Sequence, residues 1–141
     1  MTYRQSFHVE APVTEVFAFF SDPSRWAELE PEGVRFGDVV LTAEGVGTHY
    51  SWTVRIAGVP MQGFNVFTEF VPERRITDRS SSSLEGTWTY SVEPDGSGTR
   101  LTVENRLGAC WRLPLLERLL DRVAATTHEP RFQRLKQMLE A

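Results

Sequence analysis

From Val34 to Leu107 the hydrophobic period of this chain is two, interrupted only where glycine- and proline-bearing turns fall. The clearest stretch is Thr48 to Ala57, where Tyr50, Trp52, Val54 and Ile56 alternate with His49, Ser51, Thr53 and Arg55. A period of two places one set of side chains on each face of a strand, so this stretch is half-buried sheet rather than helix. Turn signals at Glu44-Gly45-Val46-Gly47, Gly58-Val59, Pro72-Glu73-Arg74 and Pro94-Asp95-Gly96-Ser97-Gly98 divide the run. The strands expected are 34–43, 48–57, 60–71, 75–80, 84–93 and 99–107, and short turns between them require antiparallel pairing.

Residues 3–10 alternate too, with Phe7 and Val9 on one face, and make a first strand. Pro12 suits the first turn of a helix, where its missing N–H is not needed, and Val13, Val16, Phe17 and Phe20 recur at helical spacing. Ser21-Asp22-Pro23 ends that helix and starts a second, residues 24–29, carrying Trp26. At the other end, Leu116, Leu119, Leu120, Val123 and Thr127 form an apolar stripe that Phe132, Leu135, Met138 and Leu139 continue. This predicts a long helix from Pro114. Pro130 cannot donate to the carbonyl of Thr126, so a kink is expected near His128-Glu129. With the loose segment Gly108-Ala109-Cys110-Trp111 before it, residues 108–130 are expected to be the mobile part of a lid.

The chain has 141 residues, enough for one domain spanning 1–141. A net charge of −4 argues against binding nucleic-acid phosphates, which needs a basic face. Cys110 is the only cysteine, so no internal disulfide forms, and a small inert core residue is its expected role. No apolar run approaches a membrane span and the N-terminus lacks a signal-peptide core, so the expected compartment is the cytoplasm. No ligand spacing suggests a metal, no glycine loop suggests a phosphate cradle, and no cofactor is expected. The oligomeric state is open, a homodimer being one option.

The order strand–helix–helix, six strands, long helix is that of the helix-grip fold. Several stretches are similar to the START-like polyketide cyclase/dehydratase and lipid-transport superfamily: SFHVEAPVTEVFAFFSDPSRWAEL, GVGTHYSWTVRIAG, VFTEFVPERRI, YSVEPDGSGTRLTVE and the closing LKQMLEA. The resemblance covers nearly the whole chain. It implies an α+β fold in which a seven-stranded antiparallel sheet curves around the C-terminal helix, with two short helices after the first strand and an apolar cavity between sheet and helix. Its members include polyketide cyclases, lipid and quinone carriers, hormone receptors and chaperone-linked modules, so function has to come from the cavity.

A hairpin turn at Gly58-Val59 sets Ile56 opposite Met61, Trp52 opposite Asn65, Tyr50 opposite Phe67 and Thr48 opposite Glu69. Carrying the parity onward puts Ile76 and Asp78 on the same face, then Trp88, Tyr90 and Val92, then Leu101, Val103 and Asn105. The candidate ligand-binding residues are therefore Tyr50, Trp52, Asn65, Phe67, Glu69, Asp78, Trp88, Tyr90 and Asn105, with His128 from the last helix. Inner-face aromatics serve a plain core equally well, but each polar group among them would then need a partner. His8 and His49 fall on the outer parity. Glu69 and Asp78 are expected as diagonal neighbours pointing inward, with at least one pKa raised by burial and mutual repulsion. They are the candidate catalytic acids, unless an arginine pairs with them.

Three functions compete. The first is a binding or carrier protein for a hydrophobic, cyclic small molecule such as a lipid, quinone or polyketide. The second is a cofactor-independent cyclase or dehydratase, with Glu69, Asp78, Tyr50 and Tyr90 moving protons. The third is a protein-interaction module, hinted at only by the acidic stretch Glu28-Leu29-Glu30-Pro31-Glu32.

Overall fold

Alternation at the N-terminus forms β1 (Thr2–Val9), and Pro12 then caps α1 (Val13–Ser21). The second short helix is a 3-10 turn, Pro23–Glu28, opened by Asp22 Oδ1 accepting from the Ser24 backbone N–H at 3.0 Å. Six strands follow: β2 (Val34–Val40), β3 (His49–Ile56), β4 (Val59–Val71), β5 (Arg75–Ser80), β6 (Gly86–Asp95) and β7 (Gly98–Leu107). Residues 133–140 are helical and are called α2. The computed structural model describes residues 2–29, 34–56, 58–81, 86–107 and 133–140. The expected kink at Pro130, the lid segment 108–130, Cys110 and His128 lie outside the described residues.

All seven strands form one antiparallel sheet in the order β1-β7-β6-β5-β4-β3-β2. Both short helices and α2 pack on one face. The shape of that face follows from Trp26. Its indole lies 5.8 Å from the ring of Phe36 on β2, 5.2 Å from Tyr50 on β3, 6.3 Å from Phe67 on β4 and 5.8 Å from Tyr90 on β6. In a flat sheet β2 and β6 would stand about 19 Å apart, four strand spacings. One indole meets both only because the sheet curls around it. Phe20 of α1 completes the cluster by stacking on Tyr90 at 4.6 Å. Leu135 of α2 is fully buried, and Met138 and Leu139 pack against the same core.

Two details of the strand pairing differ from expectation. The β3–β4 ladder closes at Ile56↔Val59, so Gly58 (φ +81°) belongs to the turn and Val59 to the strand. Gly58 takes a left-handed backbone conformation, which glycine adopts without a Cβ penalty. Pairing is thereby shifted by two residues: Val54 faces Met61, Trp52 faces Gly63, and Tyr50 faces Asn65 rather than Phe67. An even shift leaves every side chain on its expected face.

The second difference does not. Phe67 pairs with Asp78 as expected, but Glu69 pairs with Thr77 and Phe70 with Ile76. One extra residue, Thr68, bulges from β4 and inverts the parity beyond it. Phe70 turns inward, with its ring 5.2 Å from that of Phe17, and Glu69 turns outward. The inward Phe70 ring also lies against Gly45 in the β2–β3 loop. A Cβ on Gly45 would come within 2.3 Å of that ring, and Gly45 holds φ +84°. Gly45→Ala is therefore expected to cost about 3 kcal/mol, from overpacking and left-handed strain together. Urea denaturation of the variant beside the parent measures it, and a loss below about 1 kcal/mol would contradict the packing.

Candidate functional site

Register sorts the inner face into rows that run across the strands. One row is apolar: Phe70, Ile76, Tyr90 and Val103. The next mixes rings and polar groups: Phe67, Asp78, Trp88, Asn105 and Tyr3. Beyond it lie Tyr50, Asn65 and Ser80. The sheet geometry thus brings Tyr50, Asn65, Asp78, Trp88 and Asn105 into one inner patch, with Trp52 at its border. Phe67 and Tyr90 lie on the same face, packed against Trp26.

Asp78 occupies the centre and is fully buried. The Tyr50 hydroxyl donates to its Oδ2. Trp52 Nε1 donates to Asn65 Oδ1 at 2.6 Å, which leaves the Asn65 NH2 as the group able to serve the carboxyl. Among the described residues no ion pair reaches Asp78. Burial pushes its carboxyl up to about 7, against the opposing hydrogen bonds of Tyr50 and Asn65. Asp78 Oδ1 has no hydrogen-bond partner, and neither does the carbonyl Oδ1 of buried Asn105. An unmade hydrogen bond on a buried polar atom costs about 1–3 kcal/mol, so two on nearby positions of one row are unusual for a plain core.

Glu69 is a correction. Instead of pointing inward beside Asp78, it lies half-exposed on the outer face, where Arg75 Nε donates to its Oε1 at 2.6 Å and Thr77 Oγ1 at 3.0 Å. Arg75, and then Thr77, hold its carboxyl below the usual range. The cause is the Thr68 bulge, so the two-carboxylate arrangement is absent and Asp78 is the one carboxyl of the inner patch among the described residues. Trp52 and Trp88 are partly buried.

His8 and His49 lie outside the patch. His8 Nδ1 is 2.9 Å from Asp95 Oδ2 and its Nε2 meets Glu10; Asp95 and then Glu10 raise its pKa. His49 Nδ1 lies 3.0 Å from the Gly47 carbonyl, with its ring 5.3 Å from Phe64. Among the described residues no group of histidine, cysteine and carboxylate side chains is arranged to hold a metal. No helix of the described residues is long and apolar enough to cross a membrane.

Sequence reasoning missed three members of this region. Trp26 and Phe36 wall the patch, and Ser80 extends its polar row. Ser80 was reachable by parity from Asp78. Trp26 was not, because a single aromatic in a short helix carries no facing information.

Asp78 generates a stability prediction. A folded-state pKa raised from 3.8 to about 7 means that the native protein keeps a proton that the unfolded chain releases above about pH 4. Stability from this group is complete below pH 4 and is lost as pH rises toward 7. The loss amounts to roughly 4 kcal/mol. Urea denaturation across that window is expected to show the decline in the parent and a flatter profile in Asp78→Asn. Parallel profiles would contradict it. Glu69→Gln, by contrast, removes an exposed ion pair and is expected to cost less than about 1 kcal/mol; a larger loss by the same measurement would place Glu69 in the core after all.

The family described as polyketide cyclase/dehydrase and lipid transport matches residues 1–140. No curated protein sequence matches the chain. Solved structures of the same fold include TTHA0849 from Thermus thermophilus, at TM-score 0.81 and 19% identity over 99% of this chain and 97% of that one. Protein CV1439 from Chromobacterium violaceum superposes with TM-score 0.72 and 22% identity, covering 100% and 99% of the two chains. The di-domain ARO/CYC protein BexL of the BE-7585A biosynthetic pathway has TM-score 0.75 and 20% identity, with 99% of this chain covering 46% of that one.

Proposed function

We propose, because this chain belongs to the polyketide cyclase/dehydrase and lipid transport family, that it binds a hydrophobic, cyclic small molecule against the inner face of the sheet, anchored at Asp78. The observation that carries this reading is the buried Asp78 carboxyl with one oxygen unpartnered among aromatic rings. Ligand sites are mostly apolar with a few convergent polar groups, and Tyr50, Asn65, Asp78 and Asn105 supply that minority. The rings of Trp52 and Trp88 supply partly exposed apolar surface beside them. A carrier of a lipid, quinone or polyketide needs nothing more.

A second reading, catalysis, is favoured by one specific feature. A carboxyl pushed up to about 7 holds or releases a proton near neutral pH, the range in which general acids and bases work best. As the acid, Asp78 would deliver its proton to a departing hydroxyl, which leaves as water. As the base, it would take a proton from a carbon beside a carbonyl. Tyr50, hydrogen-bonded to Asp78, would hold the carboxyl in place in both roles.

Native mass spectrometry of the purified protein is expected to show a co-purifying apolar molecule that denaturation releases. Titration with 8-anilinonaphthalene-1-sulfonate is expected to shift tryptophan emission. Trp88→Leu is expected to weaken that binding roughly tenfold while lowering stability by about 1–2 kcal/mol. Unchanged binding by a folded Trp88→Leu variant would sink the pocket reading, as would collapse of the fold.

A further inference from the structure

His8, near the end of β1, has a carboxylate on each ring nitrogen. Its Nδ1 lies 2.9 Å from Oδ2 of Asp95 on β6, and its Nε2 meets Oε1 of Glu10 at the β1–α1 corner. A neutral imidazole carries one N–H and can serve one of them; only the imidazolium donates to both. The ring sits closely on the β6–β7 hairpin, since a Cβ at Gly98 would come within 3.0 Å of its Cε1 and Nε2. The same carboxylates reach further. Ser97 Oγ in the hairpin turn donates to Glu10 Oε2 at 2.8 Å. Arg100 on β7 lies 3.7 Å from Asp95 Oδ2 and 3.9 Å from Glu93 Oε1. The Glu10 backbone N–H donates to Oε1 of Glu140, at the C-terminal end of α2, at 3.2 Å. Four carboxylates, from Glu10, Glu93, Asp95 and Glu140, thus gather around Arg100 and His8, with Lys136 one turn before Glu140 on α2. The C-terminal end of a helix, with its unpaired carbonyls, adds further negative charge.

We infer that His8 is a proton-controlled clasp on the C-terminal helix: with both nitrogens protonated it ties the β1–α1 corner to the β6–β7 hairpin and balances the carboxylates where α2 ends, and loss of one proton releases that end. Donor count decides which contact goes. When the imidazolium gives up a proton, one carboxylate keeps the remaining N–H and the other faces a nitrogen lone pair. Asp95 retains Arg100 nearby, so Glu10 is the one released. Glu10 then keeps only Ser97, and its charge stands unbalanced beside Glu140. Asp95, and then Glu10, raise the pKa of His8, while His8 lowers that of both carboxylates. The folded state therefore holds the proton more tightly than the unfolded chain, whose histidine titrates at 6.5. The clasp is complete below that pH and is lost as pH rises past the higher folded midpoint. Leu135 stays buried in the core, so release concerns the helix beyond it. None of this depends on what the inner face binds.

The test reads the proton and the helix separately in the intact protein. An NMR titration of the histidine ring protons, with His8 identified by its loss in His8→Gln, is expected to give a midpoint above 6.5. That midpoint is expected to fall in Glu10→Gln and in Asp95→Asn. Hydrogen exchange of residues 133–140 is then compared at pH 6 and pH 8, corrected for the intrinsic change of exchange rate with pH. Protection is expected to fall about threefold, the size suited to exposed charges. His8→Gln is expected to show the same low protection at both pH values. Glu140→Ala, which leaves His8 in place, is expected to bring the protection at pH 6 down to the parent's value at pH 8. A His8 midpoint at or below 6.5 overturns the clasp, and so does protection in the parent that is equal at the two pH values. A fall that persists in full in His8→Gln belongs to another group, Asp78 first among them, and ends the inference. Full protection in Glu140→Ala at pH 6 ends it as well.

Discussion

The contact of one indole with rings from four strands is the constraint on which the rest of the molecule depends. Trp26 arrives on a 3-10 turn directly after α1, and its Nε1 donates to the Phe19 carbonyl at 3.1 Å, so its polar atom is satisfied and its ring is fixed. With that ring held, the sheet has to curl until Phe36, Tyr50, Phe67 and Tyr90 reach it. Curling brings Tyr50 of β3 within reach of Asp78 on β5, two strands away. The aromatic cluster and the polar patch are thus consequences of the same curvature, the first filling the hollow and the second lying beside it.

The patch also shows how a family scaffold differs from a site. Aromatic residues that look like a pocket wall in the sequence divide into two populations. Tyr50, Phe67 and Tyr90 are buried against Trp26, whereas Trp52 and Trp88 are only partly buried. The polar residues divide as well. Asn65 has its carbonyl taken by Trp52, and Asn105 does not have its own taken.

Most of the architecture was legible in the chain because alternation survives small errors. Misplacing the β3–β4 turn by one residue moved each partner by two and kept Tyr50, Trp52, Asn65 and Phe67 on the right face. Asp78 was legible for the same reason, since its pairing with Phe67 precedes the irregularity. Glu69 was not. The segment Phe67-Thr68-Glu69-Phe70 contains no glycine or proline to mark a bulge, and the choice is made by packing: Phe70 gains the Phe17 and Phe67 rings by turning inward. Such tertiary preference leaves no local signal. The orphaned oxygen of Asn105 was equally invisible, because pairing of side chains across a curved sheet is set by distances that a sequence does not contain.

The extra residue at Thr68 makes β4 a reading frame with a built-in shift. Deletion of Thr68 alone would leave Glu69 opposite Thr77 and Phe70 opposite Ile76, each on its present face; it is regular pairing of a retained Thr68 with Thr77 that would carry Phe70 out to the surface and bring Glu69 in beside Ile76, one row from Asp78. The bulge is therefore what keeps the floor of the hollow aromatic rather than acidic. Because one unpaired residue sets the face of every side chain after it, the polarity of this interior is decided by whether the strand bulges at Thr68, without replacing a single amino acid.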